Sequence, residues 1–98
     1  MKYKIKQLRD LKNCDYSFEW WELAKDRFDL ADYDVVYEGD IVPSENGPTA
    51  TLDELFEIFN IKRPEDFKGH SLSVSDVVEL DGVNYYCDSM GWVKVEDN

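Results

Sequence analysis

Several residue types that usually carry chemistry are scarce in this chain of 98 residues. It has one histidine, His70, and two cysteines, Cys14 and Cys87, so it lacks the paired Cys and His spacing of a zinc site. No run of about 18 apolar residues is present to span a membrane, and the N-terminus lacks the apolar stretch of a signal peptide. We therefore expect a cytoplasmic protein with two free thiols, no metal and no other cofactor.

Basic residues are also scarce, since 11 Lys and Arg stand against 22 Asp and Glu for a net charge of −11. Residues 1–12 hold five bases and one acid, residues 13–60 hold two bases and thirteen acids, and residues 61–98 hold four bases and eight acids. A field of this sign opposes binding to nucleic acid or to an anionic membrane, because both surfaces are bound through Lys and Arg. We expect neither as a direct partner.

Apolar side chains, in contrast, are abundant. Hydrophobic residues make up 43% of the chain and aromatic residues 14%, far more than a disordered acidic segment contains. A chain of this length can bury one hydrophobic core but not two. The composition therefore predicts a single folded domain over residues 1–98.

The first half of the chain predicts two strands and a helix. Residues 2–7 alternate lysine with less polar side chains, which is typical of a strand with a cationic outer face. If this strand lies at a sheet edge, its lysines oppose pairing with the edge strand of another molecule. Residues 17–28 predict an amphipathic helix with Ser17 as its N-cap. Its apolar side chains are Phe18, Trp21, Leu23, Ala24 and Phe28. Residues 32–38 predict a second strand that ends at Gly39.

The second half begins with a helix. Thr51 and Glu54 have the spacing of a capping box, which predicts a helix over residues 52–60. Its predicted core face, packed against the hairpin of residues 72–87, consists of Leu55, Phe56 and Phe59. Residues 43–48 read as a loop, and residues 64–67 as a single helical turn that begins with proline.

A β-hairpin follows, because Asp81-Gly82 accepts the two positive φ angles of a type I′ turn. The predicted cross-strand pairs are Leu80 with Val83, Val78 with Tyr85, and Asp76 with Cys87. Val77 and Tyr86 then fall on the opposite face, and residues 92–95 form a last strand. The serines before the hairpin alternate and are predicted to share one strand face: Ser71, Ser73 and Ser75. The fold class is α+β, a mostly antiparallel sheet with a C-terminal hairpin packed against two or three short helices.

One motif is specific, Gly-His-Ser-Leu-Ser-Val-Ser-Asp-Val-Val at residues 69–78. Further matches cover residues 3–8, 51–56, 59–60, 64–68 and 86–92, and residues 13–37 match loosely. On these segments the chain resembles a YodL-like domain over nearly its whole length. The resemblance implies an accessory protein of mobile genetic elements in Gram-positive bacteria, and it implies no catalytic activity. Cys87 and Trp92 stand where the family usually has a small aliphatic residue and phenylalanine.

We interpret the protein as a non-enzymatic module that binds a basic protein partner, with the acidic segment steering association. Trp20 and Trp21 point about 100° apart on a helix, so one of them is exposed and available as a contact. The predicted partner-binding residues are Trp20, Asp32, Tyr33, Asp34, Tyr37 and Glu38. No residue is predicted to be catalytic.

Two alternatives stay open. Clustered carboxylates can occupy the nucleic-acid groove of a host defence nuclease in place of phosphates, which would make the protein an inhibitor by DNA mimicry, of the anti-restriction or anti-CRISPR kind. Alternatively, Cys87 and His70, oriented by Asp76 or Asp88, provide the nucleophile and base of a thiol-dependent enzyme.

Overall fold

The computed structural model describes residues 1–95, and residues 96–98 of the predicted domain lie outside the described part. The strands are β1 (Lys2–Leu8), β2 (Tyr33–Asp40), β3 (Val77–Leu80), β4 (Val83–Asp88) and β5 (Gly91–Val95). They form one antiparallel sheet in the order β2-β1-β3-β4-β5. The helices are α1 (Trp21–Ala24) and α2 (Pro48–Ile61), with a 3-10 turn at Leu30–Asp32. This is the α+β arrangement that the sequence predicts.

Each face of the sheet carries its own hydrophobic cluster, because successive strand residues point to opposite faces. On one face the sheet residues pack against α2, and this cluster includes Ile5, Val78, Leu52, Leu55 and Phe59. On the other face the segment 14–33 supplies the cover, and this cluster includes Leu8, Val77, Tyr86, Tyr16 and Ala24. The prediction that Val77 and Tyr86 lie on the second face is confirmed.

The hairpin is confirmed in detail. Asp81 and Gly82 have φ angles of 47° and 86°, as a type I′ turn requires. The pairs Leu80 with Val83 and Val78 with Tyr85 are observed. β3 begins one residue after Asp76, yet the Cys87 N–H donates to the Asp76 carbonyl at 2.8 Å, so the predicted third pair is also adjacent.

The serine prediction is wrong. Residues 71–76 are not a strand, so Ser71, Ser73 and Ser75 do not line one strand face. The chain turns at residues 74–75, where Ser75 has a φ angle of 84° and is fully buried. Local hydrogen bonding to Asp76 replaces strand pairing here, since the Ser73 N–H donates to a carboxylate oxygen of Asp76 at 2.9 Å.

The helix predicted over residues 17–28 is also wrong, because only Trp21–Ala24 are α-helical. Phe18 has a φ angle of 62°, which no right-handed helix contains. Ser17 is not an N-cap, since its hydroxyl donates to the Leu11 carbonyl at 2.6 Å. Hydrogen bonds to distant residues hold this segment in an irregular path, so tertiary structure overrides the local apolar periodicity.

The helix α2 begins four residues earlier than the capping box predicts, and the preceding loop ends at Gly47. Thr51 lies inside the helix, so it is not the N-cap residue that the capping box predicts. Its hydroxyl instead accepts the Ser44 N–H at 2.9 Å and lies 3.3 Å from the Gly47 carbonyl. Pro48 starts the helix, because its missing N–H costs nothing in the first turn.

The predicted core face of α2 is correct at two of three positions. Leu55 and Phe59 are fully buried, whereas Phe56 is 39% exposed. Phe56 lies at the rim of the core, where its ring meets Trp92 edge to face at 6.4 Å between centroids.

β1 lies between β2 and β3, so the condition under which its lysines would protect a sheet edge does not arise. The lysines instead form cross-strand ion pairs, with Nζ to carboxylate distances of 4.0, 3.6 and 2.9 Å. These pairs are Lys2 with Asp40, Lys4 with Glu38, and Lys6 with Glu79. β2 runs through Gly39 to Asp40 rather than ending at the glycine. Within residues 1–95, no helix is both long and apolar enough to cross a membrane.

Candidate functional site

Three large apolar side chains are exposed within six residues of chain. Phe18, Trp20 and Leu23 have exposed fractions of 56%, 59% and 60%. We call these three residues the apolar patch. Single exposed apolar residues are ordinary on protein surfaces, but several close together are typical of a binding surface.

The neighbouring residue Trp21 explains why Trp20 points outward. The Trp21 ring packs against Tyr86 and Phe28, with centroids 5.0 and 5.3 Å away, so this side chain belongs to the core. Trp20 precedes it in an extended conformation and points to solvent. The sequence prediction that one of the two tryptophans is exposed is confirmed.

Side chains from the other half of the protein hold the backbone of the apolar patch. The Phe18 N–H donates to the Ser75 hydroxyl oxygen at 3.0 Å, and the Tyr86 hydroxyl donates to the Glu19 carbonyl at 2.7 Å. The Trp21 N–H donates to a carboxylate oxygen of Asp88 at 3.1 Å. The patch is therefore presented on a backbone anchored to the sheet rather than on an independent loop.

The charges around the patch are mostly negative. Residues 15–29 contain five acids and two bases. Lys25 pairs with Glu22 at 2.7 Å, and Arg27 pairs with Asp15 and Glu19, so both bases are already engaged. The segment therefore offers an acidic rim with no free cation around the exposed apolar side chains.

The six residues predicted to bind a partner do not form one surface. Trp20 is exposed, but Tyr33 is only 7% exposed, and its hydroxyl donates to the Ser75 carbonyl. Tyr37 is half-buried and packs edge to face on Phe59 with centroids 5.3 Å apart. Of the three predicted aromatic contacts, the structure therefore buries Tyr33, half-buries Tyr37 and exposes Trp20.

The three predicted acidic contacts are engaged within the domain. A carboxylate oxygen of Asp34 lies 2.9 Å from an Arg9 guanidinium nitrogen, and Glu38 pairs with Lys4. Asp32 accepts the Tyr16 hydroxyl at 2.8 Å. These pairings depend on the register between β1 and β2 and on the fold of residues 14–33, which sequence patterns do not encode locally.

Sequence reasoning missed Phe18 and Leu23, because helical spacing had assigned them to a buried face. No local signal corrects this, since the left-handed conformation of Phe18 depends on a contact with Ser75. Exposure of this pair is a property of the tertiary structure.

A second arrangement is a buried polar network around Gln7 of β1, which is 3% exposed. The Gln7 side-chain nitrogen donates to the His70 carbonyl at 2.8 Å and to Asp76 Oδ2 at 3.2 Å. The Gln7 side-chain oxygen accepts the His70 N–H at 3.2 Å. A Cβ atom at Gly69 would lie 2.3 Å from this oxygen, so only glycine permits the approach. Residues 69–76 of the motif are thus a loop that docks on β1, and its last two residues begin β3.

His70 and Asp76 meet inside this network. His70 Nδ1 lies 2.8 Å from the Ser71 carbonyl oxygen and 3.2 Å from the Gln7 side-chain nitrogen. The two hydrogens of that nitrogen point to the His70 carbonyl and to Asp76 Oδ2, so we assign a proton to Nδ1 that is donated to Ser71. His70 Nε2 lies 3.8 Å from Asp76 Oδ1, and both atoms are buried without a hydrogen-bond partner in the described part of the chain. Burial raises the pKa of Asp76 to about 7, although the Ser73 N–H and His70 oppose the shift.

Comparison with known protein families gives a match over nearly the whole chain. A family model described as a YodL-like domain matches residues 2–97. The chain belongs to the YodL-like domain family. No curated protein and no solved structure gives a significant match to it. The match includes both the apolar patch and the network around Gln7.

The cysteine and histidine of this YodL-like domain are poorly arranged for thiol catalysis. Cys87 is 3% exposed, and burial, reinforced by Asp76 and Asp88, raises the pKa of its thiol to about 12. Almost no thiolate is therefore present at neutral pH. Both ring nitrogens of His70 face protein atoms, Ser71 and Asp76, so neither is directed at a nucleophile.

The YodL-like domain also has a cleft of about 520 Å³ over the start of β1. Its charged lining residues are Lys2, Lys4, Glu38, Asp40, Glu79 and Asp81. Asp40 pairs with Lys2, Glu38 with Lys4 and Glu79 with Lys6, and Asp81 accepts the Lys2 N–H, so all four carboxylates of the cleft are engaged within the protein. Within residues 1–95, no three His, Cys, Asp or Glu side chains are grouped to hold a metal ion.

Proposed function

We propose that this YodL-like domain is a non-enzymatic protein-binding module whose contact surface is the apolar patch of Phe18, Trp20 and Leu23. One observation carries the proposal: three large apolar side chains, each more than half exposed, lie within six residues on an anchored backbone. Exposed aromatic side chains inside a charged rim are the usual anchors of protein interfaces, because they bury large area on binding.

The partner that fits this surface is a protein with basic side chains beside an apolar segment. Residues 15–29 hold five acids against two bases, and both bases are already paired, so positive charge on the partner is complementary. Long-range attraction of this kind accelerates encounter, while the buried aromatic contact slows dissociation.

From the family resemblance, we further propose that the protein is an accessory protein of a mobile genetic element and that it acts in the cytoplasm. The two cysteines, Cys14 and Cys87, are unpaired, which suits a reducing compartment. Inhibition of a host nuclease by DNA mimicry is the weaker candidate. It needs rows of free carboxylates, whereas Asp34 is paired with Arg9 and Glu38 with Lys4.

The test is affinity capture from a host lysate with three immobilised proteins: the wild-type chain, a Trp20→Ser/Leu23→Ser variant, and a Val42→Ser/Ile61→Ser variant. Val42 and Ile61 are 84% and 72% exposed and lie outside the patch, so the third protein controls for general loss of apolar surface. Serine also suits position 20, because this residue immediately precedes α1.

We expect a partner that the wild type and the control retain and that the patch variant loses. Binding kinetics with that purified partner should then show faster dissociation for the patch variant and slower association for the wild type at high salt. If every captured protein is retained equally by all three baits, the apolar patch is not a binding surface.

A further inference from the structure

We propose that the His70–Asp76 pair is a proton-dependent latch, which when protonated holds Ser75 and, through it, the backbone of the apolar patch. The biological role of the latch rests on the proposed function. The latch itself is a property of the folded chain and can be tested without a partner.

The geometry of the pair requires a proton. Since Nδ1 of His70 already donates to the Ser71 carbonyl, the 3.8 Å contact between Nε2 and Asp76 Oδ1 becomes favourable only when one of these two atoms is protonated. Without that proton, a nitrogen lone pair faces a buried carboxylate oxygen, and neither atom has another partner in the described residues. An unsatisfied buried pair of this kind is costly.

The residue next to Asp76 connects the pair to the patch. Ser75 has a φ angle of 84°, and the bonds that hold it there are its N–H to the Cys87 carbonyl at 3.0 Å and the Tyr33 hydroxyl to its carbonyl. Its hydroxyl oxygen in turn accepts the N–H of Phe18, whose φ angle is 62°. The Cys87 backbone bonds Asp76 as well, since its N–H donates to the Asp76 carbonyl at 2.8 Å, so displacement of Asp76 also disturbs Ser75 and releases Phe18.

Groups from three strands and from its own loop face Asp76. His70 approaches from the same loop, Gln7 from β1, Tyr33 from β2 and Cys87 from β4. Burial raises the pKa values of Tyr33 and Cys87, so both stay neutral near pH 7. Gln7 does not titrate. The change in charge therefore belongs to the buried Asp76 carboxyl that faces His70.

The sign of the effect follows from the raised pKa of Asp76. The folded loop binds this proton more tightly than the unfolded loop, where the pKa is 3.8, so the stabilisation is complete at low pH. It is lost as the pH rises from about 4 through about 7. The latch is thus closed in mildly acidic solution and weakened above neutrality.

Amide hydrogen exchange measured by NMR tests the latch. For the wild-type chain, we expect the protection factor of the Phe18 N–H, corrected for intrinsic exchange, to fall by about threefold to tenfold between pH 6 and pH 8. Exchange of Val78 in the central strand β3 reports opening of the whole sheet, which exposes Asp76 as well, so the reference is a variant without this carboxyl rather than a second amide.

The decisive variant is Asp76→Asn. Its amide N–H can donate to His70 Nε2 while its oxygen accepts the Ser73 N–H, so the contact no longer needs a proton. We expect Phe18 protection that is independent of pH in this variant. Asp26→Asn removes one exposed acid of the same segment as the patch, and it should keep the wild-type pH dependence.

Constant Phe18 protection in the wild type, or an equal fall in Asp76→Asn, would overturn the latch. If Asp76→Asn does not fold, constant Phe18 protection in the wild type still overturns the latch. If Phe18 protection in the wild type falls with pH, that fall must be absent from the His70→Asn variant. A pH-dependent Phe18 amide combined with failed partner capture would leave the latch standing and refute the proposed function alone.

Discussion

The backbone N–H of Phe18 donates to the hydroxyl oxygen of Ser75 at 3.0 Å, and both residues have left-handed φ angles, 62° and 84°. Positive φ is uncommon outside glycine, and here two such residues support each other across 57 positions of sequence. This one hydrogen bond joins the segment that carries the apolar patch to the motif at residues 69–78. It is the contact on which the exposure of Phe18 depends.

Substitutions at Ser75 should separate strain from hydrogen bonding. Ser75→Ala keeps the strained φ and leaves the Phe18 N–H without its acceptor, so we expect a loss of about 2 kcal/mol in the free energy of unfolding. Ser75→Gly loses the same acceptor but relieves the strain, and it should be about 1 kcal/mol more stable than the alanine variant. Urea titration measures both, and an alanine variant as stable as the glycine variant would contradict this account.

Gly82 is the second residue of the hairpin turn, with a φ angle of 86°. A Cβ atom there meets nothing within 4 Å, so any penalty comes from backbone conformation alone. We expect Gly82→Val to cost about 1–3 kcal/mol in thermal or urea unfolding. Asp81→Asn is the control, since asparagine tolerates positive φ, and it should change stability by no more than about 0.5 kcal/mol. Equal stabilities for the two variants would argue against the turn.

Two phenylalanines of α2 should differ sharply in their contributions. Phe59 is fully buried, and Phe59→Ala should lower the free energy of unfolding by about 3–5 kcal/mol. Phe56 is 39% exposed, so Phe56→Ala should cost only about 1–2 kcal/mol. Denaturant titrations of both variants give the comparison. The opposite ranking would mean that the face of α2 that meets the sheet is misassigned.

The two thiols should react at very different rates. Cys87 is 3% exposed, and burial raises its pKa to about 12, whereas Cys14 is half-buried. With Ellman's reagent at neutral pH, the Cys14→Ser variant, which retains only Cys87, should react at least about tenfold more slowly than Cys87→Ala. Denaturant should abolish the difference. A fast Cys87 in the folded protein would revive the thiol-enzyme alternative.

The sequence predicted the C-terminal hairpin well and the segment 17–28 poorly. The hairpin was predictable because Asp81-Gly82 dictates a turn type, and the turn in turn dictates which residues pair. The structure of the segment 17–28 was not predictable, although its apolar residues have the regular spacing of a helix. Its backbone donors and acceptors bond to Ser75, Tyr86 and Asp88, which lie more than fifty residues away in the chain.

The candidate site shows the same division. Trp20 was predictable as an exposed side chain, because adjacent helical or extended residues cannot both face one core. The burial of Tyr33 and the partial burial of Tyr37 were not predictable, because alternation along β2 says only that the two faces differ and not which of them is covered. Asp34 and Glu38 became ion pairs only through the register with β1.

By itself, the sequence determined the α+β class, the hairpin register and the acidic character, because each depends on composition or on residues close together in the chain. The tertiary structure alone decided which apolar side chains are exposed and which acids are free. It also brought Gln7, His70 and Asp76 into one buried network. The physical reason is that burial and pairing depend on contacts between distant segments, and these contacts can hold Phe18 and Ser75 in conformations that their local sequence disfavours.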